Sequence, residues 1–432
     1  MKTVSYPPRE SWQALTARPE IKKSALYTLV MEIINDVKIN GDRALRKYSR
    51  EFDGLNLGEI KVTPDEIDAA ELSVPDDLKE AIRLAKQNIE KFHSGQLKDE
   101  PVTETSPGVK CWRKNLPIAD VGLYIPGGTA PLFSTILMLA VPAKIAGCKN
   151  IVLCTPPAKD GAINPVLLYT ARLAGITEIY RTGGAQAIAA MAYGTESVPA
   201  VSKIFGPGNQ YVTRAKQLVQ LDGIAIDMPA GPSEVLVIAD KFANPEFVAA
   251  DLLSQAEHGT DSQVVLLTTD EGLISKVRNE ISVQIRNLPR RKIAEEALGN
   301  SFTVLLKTID ECMDFSNLYA PEHLIIATER ASEIAGKVKN AGSVFIGKFS
   351  CESAGDYASG TNHTLPTNGY AKSYSGVSAE SFVKKITFQE VTSSGIKNIG
   401  KAIELMAEAE QLSGHSNAVS LRLKSIEDEQ NR

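Results

Sequence analysis

Through the middle of this chain, short apolar runs alternate with segments of helical periodicity, and that alternation leaves few folds open. The first runs fall at 118–125, 151–154, 178–180 and 203–205. After an irregular stretch at 226–234 they resume at 235–239, 264–268, 304–307, 324–327 and 344–346. Strand and helix in steady succession give parallel pairing, because a parallel neighbour can be reached only through a long crossover. Two incomplete Rossmann-like, doubly wound α/β domains are therefore expected, meeting near the irregular stretch.

The flanking segments read differently. Leu26, Leu29, Val30, Ile33, Ile34 and Val37 recur at helical spacing, and the pattern stops at Gly41. A second helix is expected over 75–94, with Pro75 in its first turn, Asp76 and Asp77 at its positive end, and Leu78, Ile82, Ala85, Ile89 and Phe92 as its buried stripe. His93 is expected at the surface. Residues 349–376 are rich in Gly, Ser, Thr and Asn without periodicity, and so long a loop in a compact protein is usually functional. Beyond it, 379–432 reads as a polar helical tail too thin in apolar residues to build its own core, so it must dock on something else, a second protomer included. The expected partition is an N-terminal segment over 1–20, a discontinuous first α/β domain over 21–123 and 235–378, a second over 124–234, and the tail over 379–432.

Composition narrows the function. With 432 residues, 43% hydrophobic and 23% charged, the chain can fill two or three cores. Its 47 basic and 52 acidic residues give a net charge of −5 and gather into no basic patch, which argues against nucleic acid and anionic membranes and for a small-molecule partner. The N-terminus lacks an apolar secretory core, and no run approaches the roughly 18 apolar residues of a membrane span, so a cytoplasmic protein is expected. Cys111, Cys148, Cys154, Cys312 and Cys351 are odd in number and scattered, which suggests neither a disulfide framework nor a thiolate metal site.

Ligands of open α/β sheets bind at strand carboxyl ends, which directs attention to three glycine turns. These are Tyr124-Ile125-Pro126-Gly127-Gly128, Thr182-Gly183-Gly184-Ala185-Gln186 and Phe205-Gly206-Pro207-Gly208-Asn209-Gln210-Tyr211. None matches the dinucleotide fingerprint G-x-G-x-x-G, and tight turns need glycine anyway; three of them carrying Tyr124, Gln186 and Asn209 suggest a nucleotide site. Gln255 and His258, three apart at a helix end, share one helix face and make half a ligand set for a borderline metal, unless they are only a polar helix end closed by Gly259. Glu322-His323 abuts an apolar run and offers two proton acceptors of different basicity, or else two solvated residues of a turn after Pro321. Asp356, between glycines, reads as a turn residue or a metal ligand, with His363 close behind it. His415, after Gly414 in the tail, reads by default as a surface residue.

Five ordered segments resemble the histidinol dehydrogenase family: Phe205-Gly206-Pro207-Gly208-Asn209, Asp227-Met228-Pro229-Ala230-Gly231-Pro232-Ser233-Glu234, residues 251–259, Pro321-Glu322-His323-Leu324, and residues 353–363. The resemblance spans nearly the whole chain. It implies oxidation of L-histidinol to L-histidine through L-histidinaldehyde with two NAD+, the last steps of histidine biosynthesis. It implies one zinc ion per subunit held by Gln255, His258, Asp356 and His415, with His323 as general base and Glu322 activating water. Substrate contacts are implied for Ser233, Gln255, His258, His323, Asp356, His363, Glu410 and His415, and NAD contacts for Tyr124, Gln186 and Asn209. The family also implies a homodimer in which the tail crosses over, so that Glu410 and His415 complete the partner's site. On this reading the first α/β domain carries the metal and catalytic residues and the second faces NAD. Two competing readings are a relative acting on another amino or sulfonated alcohol and a non-catalytic NAD-binding protein. The ligand set with Glu410 opposes the first, and the intact Glu322-His323 pair opposes the second.

Overall fold

The structure, a computed structural model, describes residues 1–18, 23–127 and 131–430. It divides into a first unit, Met1–Ser94 with Ile118–Phe382, and a second, Gly95–Pro117 with Val383–Arg432. In chain order the strands are β1 (Lys2–Ser5), β2 (Thr103–Ser106), β3 (Val109–Pro117), β4 (Asp120–Tyr124), β5 (Asn150–Thr155), β6 (Glu178–Arg181) and β7 (Lys203–Phe205). There follow β8 (Ala225–Ile226), β9 (Glu234–Ala239), β10 (Gln263–Thr268), β11 (Phe302–Leu305), β12 (His323–Ala327), β13 (Ser343–Ile346) and β14 (Val383–Val391).

The first unit holds two parallel sheets. Five strands run in the order β6-β5-β4-β7-β8, and six in the order β1-β11-β10-β9-β12-β13. In each, the chain starts at a central strand (β4 or β9), adds two strands to one side, then crosses to the other; β1 joins the larger sheet at its edge, beside β11. This is the doubly wound α/β class expected from the alternation, and each reversal of direction opens a crevice beyond the strand ends. Every residue of β9 and β10 is buried, which is why both read as unbroken apolar runs. Each fully buried Val, Leu or Ile among them contributes about 1.5–3 kcal/mol relative to exposure. The helix Phe133–Ala146 is apolar on all sides and buried throughout 134–143, as a helix inside the core must be.

The first helix ends at Gly41 as expected: that residue is non-helical (φ 50°, ψ −130°), and what runs on from the kink to Tyr48 is a second helix. The Glu196 carboxylate accepts from Asp42 N at 2.7 Å and restarts the helix. Several other expectations change. The first helix was grouped with 235–378, but Val30, Ile33, Ile34 and Val37 share a core with Ile188, Met191 and Ile204 of the five-stranded side, because the alanine-rich helix Gly184–Tyr193 lets it approach closely. On Asp76–Ser94 the stripe is Ile82, Ala85, Ile89 and His93. His93, expected at the surface, is fully buried, and Phe92, expected inside, is 50% exposed. His93 lies four residues after Ile89 and so falls on the same helix face.

The second unit corrects the reading of 379–432 as wholly helical. Val383–Val391 forms β14 and pairs antiparallel with β3 from Val383↔Pro117 to Val391↔Val109; β2 lies on the other side of β3. Phe388 faces Trp112 across the pair and stacks on it, with ring centroids 5.6 Å apart. Two helices follow, Ser393–Ala409 and Ser413–Gln430. All five cysteines are free, and no described helix is long and apolar enough to cross a membrane.

Candidate active site

Residues 227–233 lead from the carboxyl end of β8 to the amino end of β9, so a short link ties opposite ends of the two sheets together. A cleft of about 910 Å³ opens there. From the five-stranded side it is lined by Pro126, Gly208 and Asn209, and from the six-stranded side by Ser233, Gln255, His258, Glu322, His323 and Asp356.

The six-stranded side supplies the titratable groups. β12 begins at His323, and its register is set by Ser343 N donating to Glu322 O at 2.9 Å. Gly342 must be glycine: a Cβ there would lie 2.6 Å from Glu322 O. The backbone of Glu234 then fixes both neighbours, its N–H donating to Glu322 Oε2 at 2.8 Å and its carbonyl lying 3.2 Å from His323 Nδ1. A carbonyl only accepts, so Nδ1 carries a hydrogen, and Nε2 is turned toward Asp356 Oδ1, 3.5 Å away. Glu234 is itself anchored. Arg18 grips its carboxylate with bonds of 2.8 and 2.7 Å while stacking over Tyr319, and Asn368 N donates to it at 3.0 Å.

Burial pushes the Glu322 carboxyl up to about 8. Burial alone would lower the His323 imidazole, but the Glu352, Glu322 and Asp356 carboxylates outweigh it and carry the pKa up to about 10.

The metal-ligand candidates come from two helices. Pro245–Ala256 starts at Asn244, whose side chain accepts from Glu246 N, and ends by delivering Gln255, fully buried, with His258 one turn on. Asp356 sits on the short helix Glu352–Tyr357, where a flexible glycine loop was expected. Gly355 makes that helix possible by letting Phe345 approach to within 2.7 Å of where a Cβ would be. His258, Glu352 and Asp356 place ligand atoms within 4.8 Å of one another. Asp356 Oδ1 and His323 Nε2 are buried without a hydrogen-bond partner, as atoms facing a cation would be. Nitrogen and oxygen donors of this kind fit zinc, and also manganese or cobalt. The carbonyl end of the Pro245–Ala256 helix adds negative potential at the same place.

His363 spends both ring nitrogens on the protein: Nδ1 on the carbonyl of Asp356 at 2.9 Å, and Nε2 on the Thr135 hydroxyl at 3.0 Å. Ser233 lines the cleft. Glu410 and His415 belong to the second unit, Glu410 at the end of the helix Ser393–Ala409 and His415 in the first turn of Ser413–Gln430, and both are exposed.

At the five-stranded side the backbone dominates. Tyr124 ends β4, buried, with its hydroxyl accepting from Gly184 N at 3.1 Å. Gln186 is buried with its Oε1 unpartnered. Asn209 is exposed on the cleft and caps the helix Gln210–Val219 through Oδ1. Gly128 of the first turn lies outside the described residues. Gly206 has φ 124°, and a Cβ there would come 2.1 Å from Tyr124 O, so only glycine serves. Both its polar groups are held by one buried ion pair, N–H to Asp227 Oδ2 and carbonyl to Lys216 Nζ, each at 2.8 Å.

Sequence reasoning missed Arg18, Lys216 and Glu352. Glu352 precedes Asp356 by four residues, a helical spacing that the Gly- and Ser-rich composition of 349–376 concealed.

A family profile described as histidinol dehydrogenase matches residues 16–423. The protein named histidinol dehydrogenase in Bacteroides thetaiotaomicron is 60% identical over 426 residues, covering 99% of this chain and 100% of that one. The one named histidinol dehydrogenase, chloroplastic, in Arabidopsis thaliana is 53% identical, covering 96% of this chain and 90% of its own. The crystal structure of histidinol dehydrogenase from Elizabethkingia anophelis superposes with a TM-score of 0.96 at 58% identity, covering 99% of each chain. With a profile and relatives that run nearly end to end, this chain belongs to the histidinol dehydrogenase family.

Proposed function

We propose that the protein oxidises L-histidinol to L-histidine through L-histidinaldehyde, the last steps of histidine biosynthesis, using two NAD+ and one zinc ion per subunit. The observation that carries this reading is the placement of the Glu322-His323 pair, locked by the Glu234 backbone, against the ligand group of His258 and Asp356. Bound zinc supplies positive charge and a coordination frame without redox chemistry, and NAD+ is the hydride acceptor.

The remaining work falls to the chain. Gln255, His258 and Asp356 hold the metal, and Ser233 borders the substrate. His323 Nε2 takes the hydroxyl proton as hydride leaves carbon, its tautomer fixed by the Glu234 carbonyl. Glu322, raised by burial, draws a proton from the water that adds to the aldehyde, giving the hydrate that the second oxidation consumes. One cleft serves both steps and keeps the reactive aldehyde enclosed.

Tyr124, Gln186 and Asn209 form the NAD side. Glu410 and His415, exposed on their own chain, complete the site of a partner subunit, so the working form is a homodimer with shared sites, in the cytoplasm. The test is stoichiometric. Zinc-loaded protein with histidinol and NAD+ should yield about two NADH per histidinol, one for each hydride removed; no NADH under those conditions overturns the proposal.

A further inference from the structure

We propose that Glu352 is a positioning residue that turns the Gln255 amide so that its oxygen, not its nitrogen, faces the metal position. This inference rests on the metal reading above and concerns a residue not among the expected ligands. Glu352 is 1% exposed and Gln255 is fully buried, so neither side chain has water as an alternative partner. The Gln255 amide end lies directly against the Glu352 carboxylate, and hydrogen bonding is satisfied only when the amide nitrogen is the donor to Glu352. With the amide nitrogen donating to the two Glu352 oxygens, the amide oxygen is left on the opposite side, a half-turn of the terminal torsion from the alternative.

The choice matters for a cation. An amide oxygen is a competent ligand for zinc, whereas an amide NH2 carries positive partial charge and repels the ion. Without Glu352, Gln255 would have no built-in preference and would offer the wrong end part of the time. Glu352 is also well placed to act with Asp356, since the two sit four residues apart on one helix and so share a face. Ser254, next to Gln255, reaches the same carboxylate at 3.5 Å. One buried carboxylate thus spans the end of Pro245–Ala256 and the start of Glu352–Tyr357, the two helices that bring the metal-binding residues.

The competing role is direct ligation, since a Glu352 oxygen also lies within 4.8 Å of the His258 and Asp356 ligand atoms. A double-mutant cycle read as zinc affinity separates the two. Full-length chain is stripped with chelator, and zinc binding is measured by competition with a chromogenic chelator for wild type, Glu352→Ala, Gln255→Ala and the double variant. Glu352→Ala should weaken zinc binding about 10- to 100-fold, the usual effect of losing a residue that orients a ligand. In the Gln255→Ala background the same change should add less than about twofold, because the residue it acts through is gone. Wild-type affinity in Glu352→Ala, or a full additive loss in the double variant, overturns the proposal. Should Glu352→Ala fail to fold, Glu352→Gln takes its place in the same cycle: its amide donates as well as accepts and no longer selects one end of Gln255, so zinc binding should weaken in the wild-type background and change by less than about twofold in the Gln255→Ala background; an equal loss in both backgrounds overturns the proposal by pointing to direct ligation. A wild-type chain that binds no zinc overturns the metal reading and this inference together; zinc binding untouched by Glu352→Ala overturns this inference alone.

Discussion

The five-stranded and six-stranded sheets share one strand order but meet the cleft with opposite ends. The five-stranded sheet presents the carboxyl ends of β4, β6 and β7, where the chain turns through Gly206 after β7 and enters helices at Gly184 after β6 and at Gln210 after β7. The six-stranded sheet presents amino ends, where β9 and β12 begin at Glu234 and His323 and the Pro245–Ala256 helix arrives with its carbonyl end. Helix N-termini favour anions, and helix C-termini favour cations. One topology therefore yields two electrostatically opposite surfaces, one suited to the phosphates of a dinucleotide and the other to a metal and proton transfer. The link at 227–233 makes this possible by joining the end of one sheet to the start of the other.

If the amino-end surface alone handles protons, His323→Ala should lower turnover about 10²- to 10⁴-fold while zinc content and melting temperature stay near wild type. Equal turnover, measured as NADH formation, would move the base elsewhere. On the same surface, Asp356→Ala should weaken zinc binding at least about tenfold and leave the affinity for NAD+ unchanged, as judged by titration of the nucleotide. A parallel loss of both affinities would mean that the two surfaces are not separable.

Acidity offers a third comparison. The base forms of Glu322, raised to about 8, and His323, raised to about 10, accumulate as pH increases. If both are the proton acceptors proposed above, the initial rate should climb from pH 7 toward 10, by up to about tenfold per unit below a controlling pKa. A flat profile over that range would remove both groups from the rate-controlling step.

On the opposite surface, Asp227→Asn leaves the Lys216 charge buried without its counter-charge and should cost about 3–5 kcal/mol of stability. It should also raise KM for NAD+, because the Gly206 turn loses its clamp, and leave zinc affinity intact. Intact KM would show that the turn holds its shape without the ion pair. The smallest expected effect is partial recovery on mixing and refolding His323→Ala with His415→Ala chains. Recovered NADH formation supports sites built from two subunits, and its absence assigns each chain its own site.

Much of the first unit was legible because strands buried on both faces, such as β9 and β10, cannot hide their composition. Gln255 and His258 were legible for a similar reason, since helical spacing is local. β14 was not: strand formation there depends on nine residues of β3 brought alongside from more than 250 positions away, and a polar, alternating segment reads as readily as a helix. Asp356 was found, but its helix was not, because Gly355 is explained only by the ring of Phe345 packed against it. Arg18 meets Glu234 across 216 positions, and neither residue advertises the other.

The sequence by itself determined the parallel α/β class, the alternation of strands and helices through the middle of the chain, and the local pairs Gln255/His258 and Glu322/His323, since each depends on burial or spacing within a few turns of chain. Tertiary structure alone decided which end of each sheet faces the cleft, which backbone holds His323 in its tautomer, and that Glu352 lies against Gln255. Those contacts join residues from separate elements, and their geometry exists only once two sheets have packed and a short link has set one's amino end beside the other's carboxyl end.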